Sequence, residues 1–176
     1  ATHDWLKENK KSIELKLEEH GAILFKDLPT ETADDFDQFV STFNYDTFTY
    51  EESLSNAVRI NKTSKVFTAN EAPREVEIFL HHEMAQTPSY PKNIFFFCKS
   101  ASEAGGETPL CRSDQLYEAL LRADKTLVES FEKFGVIYNS IMSSGDELIS
   151  GQGRSWQKTL GVSSKNDAEE KLSKLG

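Results

Sequence analysis

The chain has 176 residues, 20 Lys and Arg against 29 Asp and Glu, and a formal net charge of −9, a size suited to one globular domain or part of a larger one rather than to two. That acidic balance, with Lys10-Lys11 as the adjacent lysines, leaves no basic stripe to neutralise phosphates and excludes nucleic acid as an expected partner. The apolar run Ile94 to Cys98 is far short of the roughly 20 residues of a membrane span, and two cysteines, Cys98 and Cys111, are too few for a disulfide scaffold, so a non-membrane protein of a reducing, cytoplasmic setting is expected.

Residues 4–20 are rich in Lys, Glu and Leu and are followed by Gly21, which predicts a first helix closed by a left-handed glycine. Ala22 to Phe25 reads as a short apolar strand ending at Asp27-Leu28-Pro29. Phe36, Phe39, Val40 and Phe43 recur at i, i+3, i+4, i+7 behind Thr30 and Thr32, the pattern of a capped amphipathic helix whose phenylalanines pack into a core. From Tyr45 to Asn70, Val58, Ile60, Val66 and Phe67 suggest short strands between polar turns.

Residues 76–83 and 93–99 are the two best strands, separated by a connection that holds Pro88 and Pro91. Ser113 is expected to cap a helix to about Ala123, and Thr126 with Glu129 to form the capping box of another that ends near Gly135. Val136-Ile137-Tyr138 returns to strand, residues 143–153 form a Ser/Gly-rich loop, and Ser164 with Asp167 opens a last helix. Strands in the middle and helices at both ends give a β-rich α+β expectation for residues 1–176 as a single domain.

The chemistry-bearing segment is Phe79-Leu80-His81-His82-Glu83-Met84. On a strand His81 and Glu83 share one face and His82 points to the other, so an imidazole and a carboxylate can meet one metal as part of a facial triad. An exposed His and Glu on an edge strand is the plain alternative. Gly105-Gly106-Glu107-Thr108-Pro109 places two conformationally free glycines before a hydroxyl that can bond a carboxylate; a simple loop is its plain alternative.

In order, His81-His82-Glu83-Met84, Pro88-Ser89-Tyr90-Pro91, Ile94 to Cys98 and Gly105 to Pro109 resemble the clavaminate synthase-like branch of the taurine dioxygenase superfamily. Phe67 to Pro73 and Gly153 to Gln157 are similar to segments of that family too, and the likeness runs from about Gly21 to Glu169. The resemblance implies a double-stranded β-helix, or jelly roll, with flanking helices. It also implies an oxygenase using Fe(II), 2-oxoglutarate and O₂, with His81 and Glu83 as iron ligands and Thr108 as a contact to 2-oxoglutarate. The reaction so implied oxidises an unactivated C–H bond of a small-molecule substrate as 2-oxoglutarate becomes succinate and CO₂.

The family pattern also calls for a second His and an Arg downstream, whereas the histidines here are His3, His20, His81 and His82. Arg112, Arg122 and Arg154 do not sit in the family's C-terminal context. The chain is therefore expected to be an incomplete catalytic unit whose missing C-terminal strands come from a longer protein or a partner chain. Weak metal binding and exposed apolar surface are expected with it. A non-catalytic jelly-roll binding module is the alternative; a zinc hydrolase ranks last, since its His-Glu-x-x-His helix is absent.

Three further expectations complete the reading. His82 is read as a core or hydrogen-bonded residue. Cys98 and Cys111 are read as buried or half-buried. Arg154 and Trp156 are read either as a lid over substrate or as an anchored surface loop.

Overall fold

The computed structural model describes residues 2–47, 49, 52–55, 57–69, 71, 73, 75–146 and 153–175. Among these, six helices run in the order α1 (Thr2–His20), α2 (Ala33–Ser41), α3 (Ser113–Ala123), α4 (Lys125–Phe134), α5 (Trp156–Leu160) and α6 (Lys165–Leu175). Helix α1 ends as its sequence dictates. Gly21 adopts φ 80° and its N–H donates to Leu17 O at 2.7 Å, a closure that an L side chain would strain. A Cβ at Gly21 would also lie 3.0 Å from Arg112 Cγ, so the bare glycine lets Arg112 reach back and donate from Nη1 to Glu19 O at 2.5 Å.

Helix α2 opens with a reciprocal capping box. Asp35 N–H donates to Thr32 Oγ1 at 3.1 Å, and Thr32 N–H donates to Asp35 Oδ2 at 2.9 Å, which satisfies amide groups left over by the first turn. The Thr32 hydroxyl, then the backbone amides of Glu31 and Thr32, hold the Asp35 carboxyl below its usual value. The phenylalanine stripe faces inward. Phe39 and Phe43 join Leu6 and Ile13 of α1 in the core, with Ile23, Phe25, Leu28, Phe36, Val40, Tyr45 and Phe95 packed around them. Ring pairs at 5.3 Å (Phe25–Phe39), 5.4 Å (Phe43–Phe95) and 5.3 Å (Phe36–Phe97) tie α2 to the segments before and after it. Each such pair contributes about 0.5–1.5 kcal/mol beyond burial.

The β-rich jelly roll is not what the structure contains. Among the described residues sheet pairing is confined to an isolated antiparallel bridge between Asn61 and Phe67, and regular structure is helical. Two of the strand-like segments, read from continuous apolar runs, do alternate in burial. Phe95 and Phe97 are half-buried while Ile94, Phe96 and Cys98 are exposed, and Ile23 and Phe25 turn in while Leu24 turns out. A side-chain period of two requires only an extended backbone against a core, whereas a sheet requires a neighbouring chain to take up its N–H and C=O groups. Residues 76–82 lack even the alternation, being exposed throughout.

Smaller differences follow from capping chemistry. Arg112 occupies the N-cap of α3 without a side-chain cap, and Ser113 is the first helical residue. Asp124 caps α4 through Leu127 N–H at 2.9 Å, so Thr126 lies inside that helix. The short α5 was not foreseen; Ser155 caps it. Ser164 caps α6, accepting from Asp167 N–H at 3.2 Å. Both cysteines are exposed and free, in contrast to the buried expectation, because Cys98 falls on the outward side of its segment. Residues 147–152 of the expected loop lie outside the described residues. Among those described, no helix is long and apolar enough to cross a membrane.

Candidate functional site

The His-His-Glu segment ends an extended run and enters a turn. Ala85 N–H donates to His82 O at 3.3 Å and Thr87 N–H to Met84 O at 3.0 Å. Met84 adopts φ 58° while its side chain is buried. A left-handed non-glycine residue costs on the order of 1–2 kcal/mol, and the buried Met84 side chain supplies the packing that holds this conformation. The chain is thus pinned immediately after Glu83.

His81 and Glu83 project together, with His81 Nε2 3.8 Å from Glu83 Oε2. The other polar atom of each side chain is occupied. His81 Nδ1 lies 2.7 Å from Phe79 O. A carbonyl can only accept, so Nδ1 carries a hydrogen; the neutral tautomer with that hydrogen has its lone pair on Nε2. Glu83 Oε1 accepts from Arg59 Nη2 at 3.2 Å, which leaves Oε2 toward the imidazole. One donor nitrogen and one donor oxygen therefore face each other, each oriented by a partner behind it. Metal-ligating histidines are held in this way, by a carbonyl or carboxylate on the second ring nitrogen.

This pair fits two positions of a divalent metal's ligand set. No group of three or more His, Cys, Asp or Glu placed to hold a metal occurs among the described residues. His82 does not join the pair. It shares a hydrogen bond of 2.7 Å with Ser113 Oγ at the start of α3, exposed rather than in the core. Thr108 is exposed on the segment that follows Gly105 and Gly106, and no hydrogen bond connects it with His81 or Glu83 among the described residues. The two glycines take φ 70° and 78°, and Ser102 Oγ donates to Gly105 O, so this loop is a tight left-handed turn. The concave surface lined by Gln157, Lys158, Gly161, Val162, Ser163 and Asp167 lies at α5 and α6 and includes none of the three expected site residues.

The downstream arginines are engaged elsewhere. Arg112 pairs with Asp114 at 2.5 Å and through that hydrogen bond holds the Asp114 carboxyl below its usual value. Arg122 pairs with Glu118 one helical turn away at 3.6 Å. Arg154 donates to Ser53 O at 3.2 Å, Ser55 O at 2.8 Å and Lys158 O at 2.8 Å, which anchors the segment that leads into α5. Sequence reasoning missed Arg59 as the partner of Glu83. The two are 24 residues apart and no periodicity connects them; a signal existed in the family-like segment beginning Phe67-Thr68, against which Arg59 is seated.

Residues 1–167 match the profile of the family described as taurine catabolism dioxygenase TauD, TfdA family. The chain belongs to the TauD/TfdA dioxygenase family. Over 171 residues it is 36% identical to a clavaminate synthase-like protein of Arabidopsis thaliana, covering 97% of this chain and 51% of that protein. Over 154 residues it is 29% identical to the dapdiamide synthesis protein DdaC of Enterobacter agglomerans, covering 87% of this chain and 43% of that one. This TauD/TfdA chain thus spans about half the length of the curated relatives it matches.

Proposed function

We propose that the protein acts as an Fe(II)- and 2-oxoglutarate-dependent dioxygenase that oxidises a small-molecule substrate. The observation that carries this reading is the His81 Nε2 and Glu83 Oε2 pair, 3.8 Å apart with their other polar atoms tied to Phe79 and Arg59, in a chain of a dioxygenase family. His81 and Glu83 would hold the metal, and the Thr108 hydroxyl would donate to a carboxylate of 2-oxoglutarate. Bound there, Fe(II) would supply the redox chemistry by which O₂, 2-oxoglutarate and a C–H bond give succinate, CO₂ and a C–OH bond.

The chain's own contribution is orientation. The Phe79 carbonyl fixes which imidazole nitrogen is available, Arg59 fixes which carboxylate oxygen is available, and the turn at Met84 sets where both point. With two side chains as ligands, further positions on a bound metal would be left to 2-oxoglutarate and O₂. The engagement of Arg112, Arg122 and Arg154 favours a second reading, a non-catalytic binding relative.

Succinate formation separates the two. With Fe(II), O₂ and 2-oxoglutarate, a dioxygenase releases succinate and CO₂ even without its prime substrate; no iron-dependent turnover with any small acid would leave the binding relative. Thr108→Val should weaken 2-oxoglutarate binding by about 1–3 kcal/mol, roughly 5- to 150-fold, through the lost hydrogen bond to a charged group. An unchanged affinity removes Thr108 from the site.

A further inference from the structure

Arg59 is seated on the one stretch of described chain where backbone pairing resembles a sheet. Glu71 N–H donates to Val58 O at 3.1 Å, Thr68 N–H to Ile60 O at 2.9 Å and Lys62 N–H to Val66 O at 2.8 Å, which sets residues 58–62 and 66–69 as two short antiparallel arms around the Asn61–Phe67 bridge. Ile60 N–H adds a bond to Thr68 Oγ1 at 3.0 Å. The Arg59 guanidinium lies over the Phe67 ring at 5.5 Å, donates from Nη1 to Thr68 O at 3.4 Å and from Nη2 to Glu83 Oε1 at 3.2 Å. Its side chain is 15% exposed against 26% for Glu83 and 57% for His81. Shielded by the arms at one end and meeting Glu83 at the other, Arg59 is better placed to hold a geometry than an exposed surface pair would be.

We propose that Arg59 is a positioning residue for the metal site. By occupying Oε1 it commits Glu83 to bind through Oε2 alone, toward the nitrogen that His81 presents. This rests on the reading of His81 and Glu83 as metal ligands. A carboxylate free to rotate offers either oxygen, or both; one oxygen held from behind gives a single-oxygen ligand of fixed direction and keeps a coordination position open. The guanidinium also balances the carboxylate's charge, and this sets up the opposite possibility, in which Arg59 competes with a cation for Glu83.

The test uses Mn(II) as the probe and the chain with its natural residue or Met or Lys at position 59. Free Mn(II) is followed by its electron paramagnetic resonance signal, and folding by far-ultraviolet circular dichroism. Arg59→Met keeps the aliphatic stem over Phe67 and should weaken Mn(II) binding about 10- to 100-fold, the usual effect of losing a partner behind a ligand; Arg59→Lys, retaining one donor and the charge, should recover part of it. A circular dichroism spectrum unchanged in Arg59→Met, together with that partial recovery in Arg59→Lys, separates positioning of the carboxylate from a merely structural role. If His81→Ala and Glu83→Gln abolish binding but Arg59→Met leaves it unchanged or tighter, the positioning role is overturned while the ligand assignment stands. If His81→Ala leaves binding intact, the ligand assignment falls and Arg59's role falls with it.

Discussion

Replacing Phe39 with alanine probes the packing that joins α1, α2 and the extended segment of Phe95. Phe39 is 6% exposed, and its ring lies 5.3 Å from that of Phe25, 5.6 Å from Phe43, and 6.5 Å from both Phe36 and Phe95. Phe39→Ala removes the buried ring and leaves a cavity that four aromatic neighbours cannot collapse to fill. A loss of about 3–5 kcal/mol follows, a large part of the roughly 5–15 kcal/mol by which a domain is stable. Phe96→Ala is the internal control. Phe96 sits next to Phe95 in sequence but is 61% exposed, so its removal should cost under about 1 kcal/mol. With a urea slope of about 2 kcal/mol per molar, the Phe39 variant's unfolding midpoint should fall by roughly 1.5–2.5 M, and that of the Phe96 variant by less than about 0.5 M. Urea unfolding followed by circular dichroism reads both. Equal losses at the two positions would refute the placement of Phe39 in the core and of Phe96 on the outward side.

Two other outcomes follow from local chemistry. Burial, then the hydrogen bond of 2.8 Å from its hydroxyl to Glu14, pushes the Tyr45 phenol up to about 12; the folded chain favours the protonated form, so this contribution is full below the unfolded value near 10 and lost as pH rises toward 12. Urea midpoints from about pH 9 to about pH 12 should register a decline of roughly 1–3 kcal/mol that Tyr45→Phe abolishes; the same decline in the Phe variant would remove Tyr45 as its source. Gly106→Ala should disturb the turn before Thr108, since its Cβ would lie 2.6 Å from Ser102 Oγ at φ 78°. Amide hydrogen exchange over residues 101–109 should rise in that variant; unchanged protection would show that the turn accommodates a side chain.

What could be read from the sequence was local. Helix α1 with Gly21, α2 behind Thr32, and α6 with Ser164 follow from propensity and capping, which act over four or five residues and need no knowledge of the remainder. The apolar run of residues 94–98 was equally local, and it lies with alternate residues turned toward the core. Sheet pairing was not, because a ladder depends on which other segment lies alongside, and an apolar run is also satisfied by lying extended against the α1–α2 core. The shared face of His81 and Glu83 follows from spacing along an extended chain. Arg59 does not, since its reach to Glu83 depends on the fold of residues 58–69. Thr108 was singled out through family likeness, which carries a residue's expected role but not its position in space.

The most direct measurement is Mn(II) titration of the chain alongside His81→Ala, Glu83→Gln and His82→Ala, read by electron paramagnetic resonance. His82 is the natural control, adjacent in sequence yet bonded to Ser113 and absent from the facing pair. Weak, exchangeable binding at one site, abolished by the first two substitutions and untouched by the third, is the predicted result, since two side chains hold a metal less firmly than a full ligand set. Binding lost in His82→Ala and retained in His81→Ala would contradict the assignment of the metal to the His81–Glu83 face.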